Sequence, residues 1–153
     1  MKQINKYIVE RLHINKDIDH HNYHPKTNNE LKELINELIK ERGNDADLND
    51  IDTSEIKDMY KLFYNSDFNG DISKWDVSKV KDMYRMFQYS EFTGENGDIS
   101  EWDVSNVKNM YCMFYRSSFN GDISNWNVSN VENMDGMLSW TPLEKNPPKW
   151  YKE

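Results

Sequence analysis

The residue types best suited to metal chemistry lie near the start of the chain. Imidazole and carboxylate groups share one short segment there: Asp17, Asp19, His20, His21 and His24. Metal ligands usually come with fixed spacing and with hydrogen-bond partners behind them, and this segment shows neither. We therefore interpret it as a surface loop before a turn at Pro25, and we predict no metal site and no cofactor.

The nucleophilic side chains make no case for catalysis. Cys112 is the single cysteine, so it cannot form an intramolecular disulfide. We expect it to face outward, because Lys61, Arg85 and Gly136 occupy the equivalent positions of a repeat. Serines recur at fixed spacing without a histidine partner, which favours hydrogen bonding in turns over nucleophilic catalysis. The sequence predicts no catalytic residue, and we expect a protein that is not an enzyme.

Recurring aspartates are the feature that most resembles a ligand site. The first set is Asp71, Asp98 and Asp122, and the second is Asp52, Asp76 and Asp103, with Asn127 at the fourth place. Stacked carboxylates bind calcium in some repeat proteins, but the glycine-rich ligand pattern of those proteins is missing here. We favour the alternative, in which the first set accepts backbone hydrogen bonds at a corner after Asn-Gly.

These spacings come from an internal repeat. "DISKWDVSKVKDMYRMF", from Asp71, returns as "DISEWDVSNVKNMYCMF" from Asp98 and "DISNWNVSNVENMDGML" from Asp122, and a weaker first copy, "DLNDIDTSEIKDMYKLF", starts at Asp47. Successive copies are 24, 27 and 24 residues apart, and the longer step contains three extra residues in "FTGENGD". A unit of this length cannot bury an apolar face alone, so the repeat predicts stacked copies.

Each copy combines two periodicities. Apolar residues alternate at W-x-V, as in Trp75 and Val77, which predicts a short strand with one buried face. The following V-x-x-M-x-x-M-F has apolar spacings typical of a short α- or 3₁₀-helix. Asn-Gly in "FNGD" suits the polar return because both residues tolerate positive φ. The expected fold class is an α/β repeat in which the copies stack as a short solenoid.

The pattern F-N-x-D-I-S-x-W-D-V-S-N-V-x-N-M-x-x-M-F resembles the repeat of BspA-like leucine-rich-repeat proteins, over about residues 44–151. These are known chiefly as bacterial surface proteins and lipoproteins. The resemblance implies a leucine-rich-repeat-like solenoid with a parallel sheet on one side, used for protein recognition. It brings no catalytic residues.

We expect both ends of the solenoid to be capped. Residues 1–43 are predicted to form an N-terminal helical cap. Its first segment, "INKYIVERLHI", could be a strand or a helix, and the spacing of Ile4, Ile8 and Leu12 favours the helix. A second helix has Thr27 or Asn28 as its N-cap and Gly43 after its end. Its apolar stripe is Leu31, Leu34, Ile35, Leu38 and Ile39. Residues 44–153 hold the four copies and a truncated capping turn at Trp150, which keeps the 24-residue register with Trp126.

Charge and composition exclude several classes of function. The formal charge is −8, and residues 44–143 alone hold 18 acidic against 8 basic side chains. This acidity disfavours binding to nucleic acids and to acidic membrane surfaces. No apolar run is long enough for a signal peptide or a membrane span, so we expect a cytoplasmic protein, or a cell-surface one if a signal or anchor has been trimmed.

The outward positions of the predicted strands supply the candidate binding residues. We call them the acidic strip: Asp50, Asp52, Lys74, Asp76, Ser78, Glu101, Asp103, Ser105, Asn125 and Asn127. The strip leads us to expect a monomeric, non-enzymatic recognition module that binds a protein with a basic patch. The alternatives are an acidic decoy or inhibitor of a nucleic-acid-binding host protein and a cell-surface adhesion domain.

Overall fold

The computed structural model describes residues 20–152. Within this range it contains one α-helix, α1, at Asn28–Arg42 and one 3₁₀ helix at Pro142–Lys145. The helix expected around Ile4, Ile8 and Leu12 lies outside the described residues. The division into a helical cap up to residue 43 and a repeat region from residue 44 stays a prediction.

Helix α1 forms where its end signals predict it. The Thr27 hydroxyl oxygen accepts a hydrogen bond from the Glu30 N–H (3.2 Å), and the Gly43 N–H donates to the Ile39 carbonyl (2.8 Å). These two bonds satisfy backbone groups that a helix leaves free at its ends. The buried residues of its apolar stripe are Leu31, Leu34, Ile35 and Leu38. The predicted second helix of the cap is confirmed.

The predicted parallel sheet is wrong, and so is the leucine-rich-repeat-like solenoid built on it. Between residues 20 and 152 the structure has no named strand, and its β-bridges are isolated, although all are parallel. Trp75 and Val77 lie in turns instead: the Trp75 N–H donates to Ile72 (3.2 Å) and the Val80 N–H to Val77 (2.9 Å). Aspartate side chains that bond nearby N–H groups favour such turns over a strand ladder. W-x-V therefore marks corners that turn apolar side chains inward.

The predicted helix over V-x-x-M-x-x-M-F is also wrong. In the second copy the Met86 N–H donates to the Met83 carbonyl (3.2 Å), but Arg85 between them has a φ of 53°. A left-handed residue at this point stops a helix from continuing. The same conformation recurs in the other copies at Lys61, Cys112 and Gly136. The segment is therefore a series of tight turns.

Backbone hydrogen bonds join each copy to the next. The N–H groups of Met59, Lys61, Phe63 and Asn65 donate, over 2.8–3.0 Å, to the carbonyls of Asp82, Tyr84, Met86 and Gln88. The same four bonds recur at the next two boundaries, and in each of them the N–H belongs to the earlier copy. Equivalent residues of neighbouring copies therefore lie side by side in parallel, and we call this arrangement the stack.

Phenylalanine ladders fill the interior of the stack. The rings of Phe63, Phe87 and Phe114 have centroids 5.3 Å apart at both steps and planes within 5° of parallel. A second buried ladder runs beside the first and consists of Phe68, Phe92 and Phe119. Since each ring packs on its equivalents, the repeat distance along the stack is set by ring contacts as well as by the backbone.

Tryptophans add a second kind of contact between copies. The indole N–H of Trp102 donates to the Ile72 carbonyl (3.3 Å), and that of Trp126 donates to the equivalent Ile99 (3.1 Å). Trp150 makes the same bond to the Ile123 carbonyl (2.9 Å). The C-terminal tail thus continues the register of the copies.

The glycines directly before Asp71 and Asp98 are explained by close approach of two copies, not by positive φ. A Cβ at Gly70 would lie 2.0 Å from the Ala46 carbonyl oxygen, and a Cβ at Gly97 would lie 2.7 Å from the Gly70 carbonyl oxygen. The φ angles of Gly70 and Gly97 are not positive. The expectation from the sequence is corrected: a missing side chain is what lets these backbones touch.

Candidate functional site

One end of the acidic strip is half-buried and hydrogen-bonded within the chain, and the rest of it is mostly exposed. Its exposed members are Lys74, Asp76, Glu101, Asp103, Asn125 and Asn127, while Asp50, Asp52, Ser78 and Ser105 are half-buried. Because the copies lie in parallel, the exposed members follow one another along the stack. The open part of the strip therefore begins only at the second copy.

At the first copy, the strip carboxylates are bonded within the chain. Asp50 accepts two hydrogen bonds from the Arg42 guanidinium (2.9 Å each) and one from the Asn22 amide (2.8 Å). Asp52 lies 3.1 Å from Nδ1 of His24. Burial disfavours both charged carboxylates, but hydrogen bonds outweigh it, so the pKa of Asp50 is lowered and the pKa of Asp52 is lowered to about 2. These acids hold the N-terminal region onto the first copy.

The recurring aspartates accept N–H groups two residues further on. The predicted corner bonds are confirmed, since one Oδ1 accepts from the following serine at 2.9 Å in each of Asp71, Asp98 and Asp122. On the strip, Asp76 accepts both the N–H and the hydroxyl of Ser78 (2.9 and 2.6 Å). Part of each carboxylate is thus committed to shaping a turn.

The histidine segment contacts the first copy. Besides the pairing of His24 with Asp52, the rings of His21 and His24 meet edge to face at 6.4 Å. Asp17 and Asp19 lie outside the described residues. From residue 20 to residue 152, no group of three or more His, Cys, Asp or Glu is placed to hold a metal ion.

Cys112 is buried, with only 8% of its surface exposed, which corrects the outward position expected for it. A Cβ added at Gly136 would lie 3.2 Å from the Cys112 Sγ, so the fourth copy covers the thiol. Lys61 and Arg85, at the equivalent positions, are longer and are only half-buried.

Sequence reasoning missed a second surface, which we call the aromatic–cationic face. It consists of Tyr60, Lys61, Tyr64, Tyr84, Arg85, Tyr89, Tyr111, Tyr115, Arg116 and Trp140. The large hydrophobic side chains that are exposed in the described part of the chain are Tyr60, Tyr64, Tyr89 and Trp140, and all of them belong to this face. Its signal in the sequence was a tyrosine directly after the first Met of three copies, followed in two of them by Lys or Arg.

Ring contacts fix the tyrosines of this face. One row of stacked rings, with centroids 5.2 and 5.3 Å apart, consists of Tyr60, Tyr84 and Tyr111. In a second row, Tyr89 meets Tyr64 and Tyr115 edge to face, at 5.8 and 5.9 Å. Side chains that are already ordered lose less conformational entropy when a partner binds, so the face is preorganised.

Three cations lie among these rings, at 4.9–5.6 Å from the ring centroids. The pairings are Lys61 with Tyr60 and Tyr64, Arg85 with Tyr84 and Tyr111, and Arg116 with Tyr115 and Trp140. Within residues 20–152, none of the three cations forms an ion pair with a carboxylate, although Arg42 and Lys79 do. The face thus carries three cations, with Asp135 at the place in the fourth copy that corresponds to Tyr60, Tyr84 and Tyr111, on a stack that holds more acidic than basic side chains.

The comparison with protein families is decisive about membership. A model of the family described as "Mycoplasma protein of unknown function, DUF285" matches residues 29–150. The chain belongs to this family. The DUF285 match includes helix α1 except its first residue, all four copies, and both the acidic strip and the aromatic–cationic face. Among curated proteins and among solved structures, no significant match was found.

The DUF285 assignment carries no activity with it. In the part of the chain that is described, no helix is long and apolar enough to cross a membrane.

Proposed function

We propose that this chain is a non-enzymatic protein-recognition module that binds its partner through the aromatic–cationic face. The observation that carries the proposal is the concentration of exposed Tyr and Trp side chains, interleaved with Lys and Arg, on one side of the stack. Tyr, Trp and Arg are enriched at the energetic centres of protein interfaces. A face of this composition costs solvation energy when bare, and covering it with a partner recovers that cost.

The rows of the face also have the shape of a recognition surface. They extend from Tyr60 in the first copy to Trp140 in the fourth, which at about 5 Å per copy is roughly 15 Å. An extended peptide or one turn-rich edge of a folded partner can lie along such a length. The resemblance of the repeat to that of BspA-like proteins, which implies protein recognition, agrees with this use.

The acidic strip is the second candidate surface. Asp76, Glu101 and Asp103 are exposed, and no Lys or Arg of residues 20–152 pairs with them. Unpaired carboxylates on consecutive copies would suit a basic patch on a partner and would speed association at low salt.

The two surfaces are separated by comparing two sets of substitutions. The face variant carries Tyr89→Ala and Trp140→Ala, and the strip variant carries Asp76→Lys, Glu101→Lys and Asp103→Lys. Each is immobilised beside the wild type in lysate of the cell that makes the protein, and captured proteins are identified by mass spectrometry. We expect the face variant to lose the specific partner and the strip variant to retain it.

Both variants change exposed side chains, but Asp76 and Asp103 also accept turn hydrogen bonds, so thermal unfolding is used to check that each variant is still folded. Recovery of the same partner by the face variant would remove the aromatic–cationic face from the proposal. If only the strip variant fails to capture the partner, the acidic strip and not the aromatic–cationic face is the binding surface.

A further inference from the structure

The charges of the aromatic–cationic face specify the chemistry of what it binds. Resting on the function proposed above, we infer that the face takes an acidic segment of the partner protein, whose carboxylates pair with Lys61, Arg85 and Arg116. This is the reverse of the basic partner that the acidic strip would suit.

The first argument is that, within residues 20–152, the three cations of the face are held by aromatic rings and by no carboxylate, whereas four cations elsewhere, Lys40, Arg42, Lys79 and Lys108, are paired with one. Arg42 holds Asp50 at 2.9 Å, and Lys79 holds Glu55 at 2.8 Å. In contrast, the Arg85 guanidinium lies over the rings of Tyr84 and Tyr111, 4.9 and 5.6 Å from their centroids. A guanidinium that rings hold in place is preorganised for a carboxylate, because little side-chain entropy remains to be lost.

The second argument concerns the ring faces, which are largely in use. Tyr84 stacks between Tyr60 and Tyr111, and the Arg116 cation lies over the Trp140 ring at 5.2 Å. Single-stranded nucleic acids bind by stacking bases on open aromatic faces and by tracking their phosphates along many cations. Here the rings other than Trp140, which is 66% exposed, are engaged mainly with one another and with three cations. An acidic peptide with apolar side chains fits these groups better than a nucleic acid does.

The third argument is the contrast with the surroundings. Residues 44–143 hold 18 acidic and 8 basic side chains, so an acidic segment is repelled by most of the stack. Exposed lysines also recur at Lys57, Lys81 and Lys108, but only on the face do cations lie among ordered rings, which orient a segment as well as binding it.

Crosslinking identifies the chemistry of the bound segment directly. A photo-crosslinking phenylalanine derivative replaces Tyr89 on the face, and in a second protein it replaces Asn125 on the strip. After irradiation in lysate, the crosslinked species are digested and sequenced. We expect the Tyr89 position to capture a peptide with an excess of Asp and Glu. A captured peptide that is neutral or basic, or a captured nucleic acid, would overturn the inference.

A charge-matched pair of variants then tests which cations are responsible. The captured peptide is synthesised with a fluorescent label, and its affinity for the full chain is measured by anisotropy at low and high salt. We expect Arg85→Gln with Arg116→Gln to weaken binding about tenfold or more, with a smaller salt dependence. Lys79→Gln with Lys108→Gln removes the same charge from ion-paired positions and should leave the affinity within about twofold of the wild type. Equal weakening in both variants would mean that only the overall charge matters and would contradict the inference.

The two proposals fail in different ways. If capture of the partner depends on Tyr89 and Trp140 but the crosslinked peptide has no excess of acidic residues, the proposed recognition face stands and the inference of an acidic segment is wrong. If the partner is crosslinked at Asn125 and not at Tyr89, the proposal that the aromatic–cationic face binds the partner is wrong.

Discussion

Two ladders of aromatic rings run through the same copies at the same spacing, one inside the stack and one on its surface. The inner ladder of Phe63, Phe87 and Phe114 has centroids 5.3 Å apart, and the outer row that starts at Tyr60 and Tyr84 has them 5.2 Å apart. Phe87 is wholly buried, whereas Tyr60 is 42% exposed. One backbone geometry thus produces both a core and a surface.

The distance between stacked rings is the same in the buried and the exposed row. It is therefore set by the spacing of the copies and does not depend on burial. In the inner ladder, stacking removes apolar area from water and stabilises the fold. In the outer row, the same stacking leaves ring edges, hydroxyl groups and cations accessible. The inner ladder should therefore control folding, and the outer row should control recognition.

The largest effect is expected from truncating the inner ladder. Phe87→Ala removes a side chain that stacks on Phe63, Phe92 and Phe114 at 4.6–5.3 Å. The free energy of unfolding in urea should fall by about 3–5 kcal/mol, because the cavity cannot close completely between two rings. Phe87→Leu, which keeps most of the volume, should cost clearly less. A loss below about 1 kcal/mol for the alanine variant would show that the ladder is not the core.

A smaller effect comes from a perturbation that leaves both ladders intact. The pKa of Asp52 is about 2, against an ordinary value of 3.8, so its carboxylate stabilises the folded state fully above pH 3.8. As the pH falls through 3.8 toward 2, this contribution of about 2 kcal/mol should be lost.

Asp52→Asn provides the control for this acid dependence. Asn127 shows that an amide oxygen can accept the same turn hydrogen bond, from the Ser129 N–H at 3.1 Å. The variant should therefore keep the turn and show a shallower decrease of unfolding free energy between pH 4 and pH 2 than the wild type. An unchanged slope would place the acid sensitivity at other carboxylates.

The smallest effect on stability is expected in the outer row. Tyr84→Ala removes stacking on Tyr60 and Tyr111 from a half-exposed position, so the unfolding free energy should decrease by only about 1 kcal/mol. Partner binding should decrease far more than that. If Tyr84→Ala destabilises the fold as much as Phe87→Ala, the two ladders have the same role and the comparison fails.

The sequence predicts correctly those residues whose role depends on near neighbours in the chain or on the strict period of the repeat. Thr27 and Gly43 mark the ends of α1 because capping depends on a few neighbouring atoms. Trp150 occupies its predicted register because an indole N–H needs one carbonyl, which the previous copy supplies.

Other predictions failed where two structures share one pattern. Alternation at Trp75 and Val77 is typical of a strand, but turns closed by Asp side chains give the same inward and outward order. Left-handed φ at Arg85 carries no clear sequence signal, because Lys61 and Cys112 adopt it as well as Gly136. The aromatic–cationic face was missed because Tyr84 follows an inward Met, so its position was not separated from the core.

The hydrogen bonds between copies have an electrical consequence. In the columns that begin at Met59, Lys61, Phe63 and Asn65, the N–H of the earlier copy points at a carbonyl of the later one, so the peptide dipoles within these columns are aligned, as they are along an α-helix. At the first copy, the Asn28 amide donates to the outward carbonyls of Asp58 and Tyr60 (3.1 and 3.3 Å) and so complements the negative pole. Elsewhere around the stack the direction is reversed, since the N–H groups of Lys81, Lys108 and Glu132 donate back to the carbonyls of Lys57, Lys81 and Lys108 (2.7–2.9 Å). The stack therefore holds columns of opposed polarity side by side, and each added copy would lengthen both kinds together.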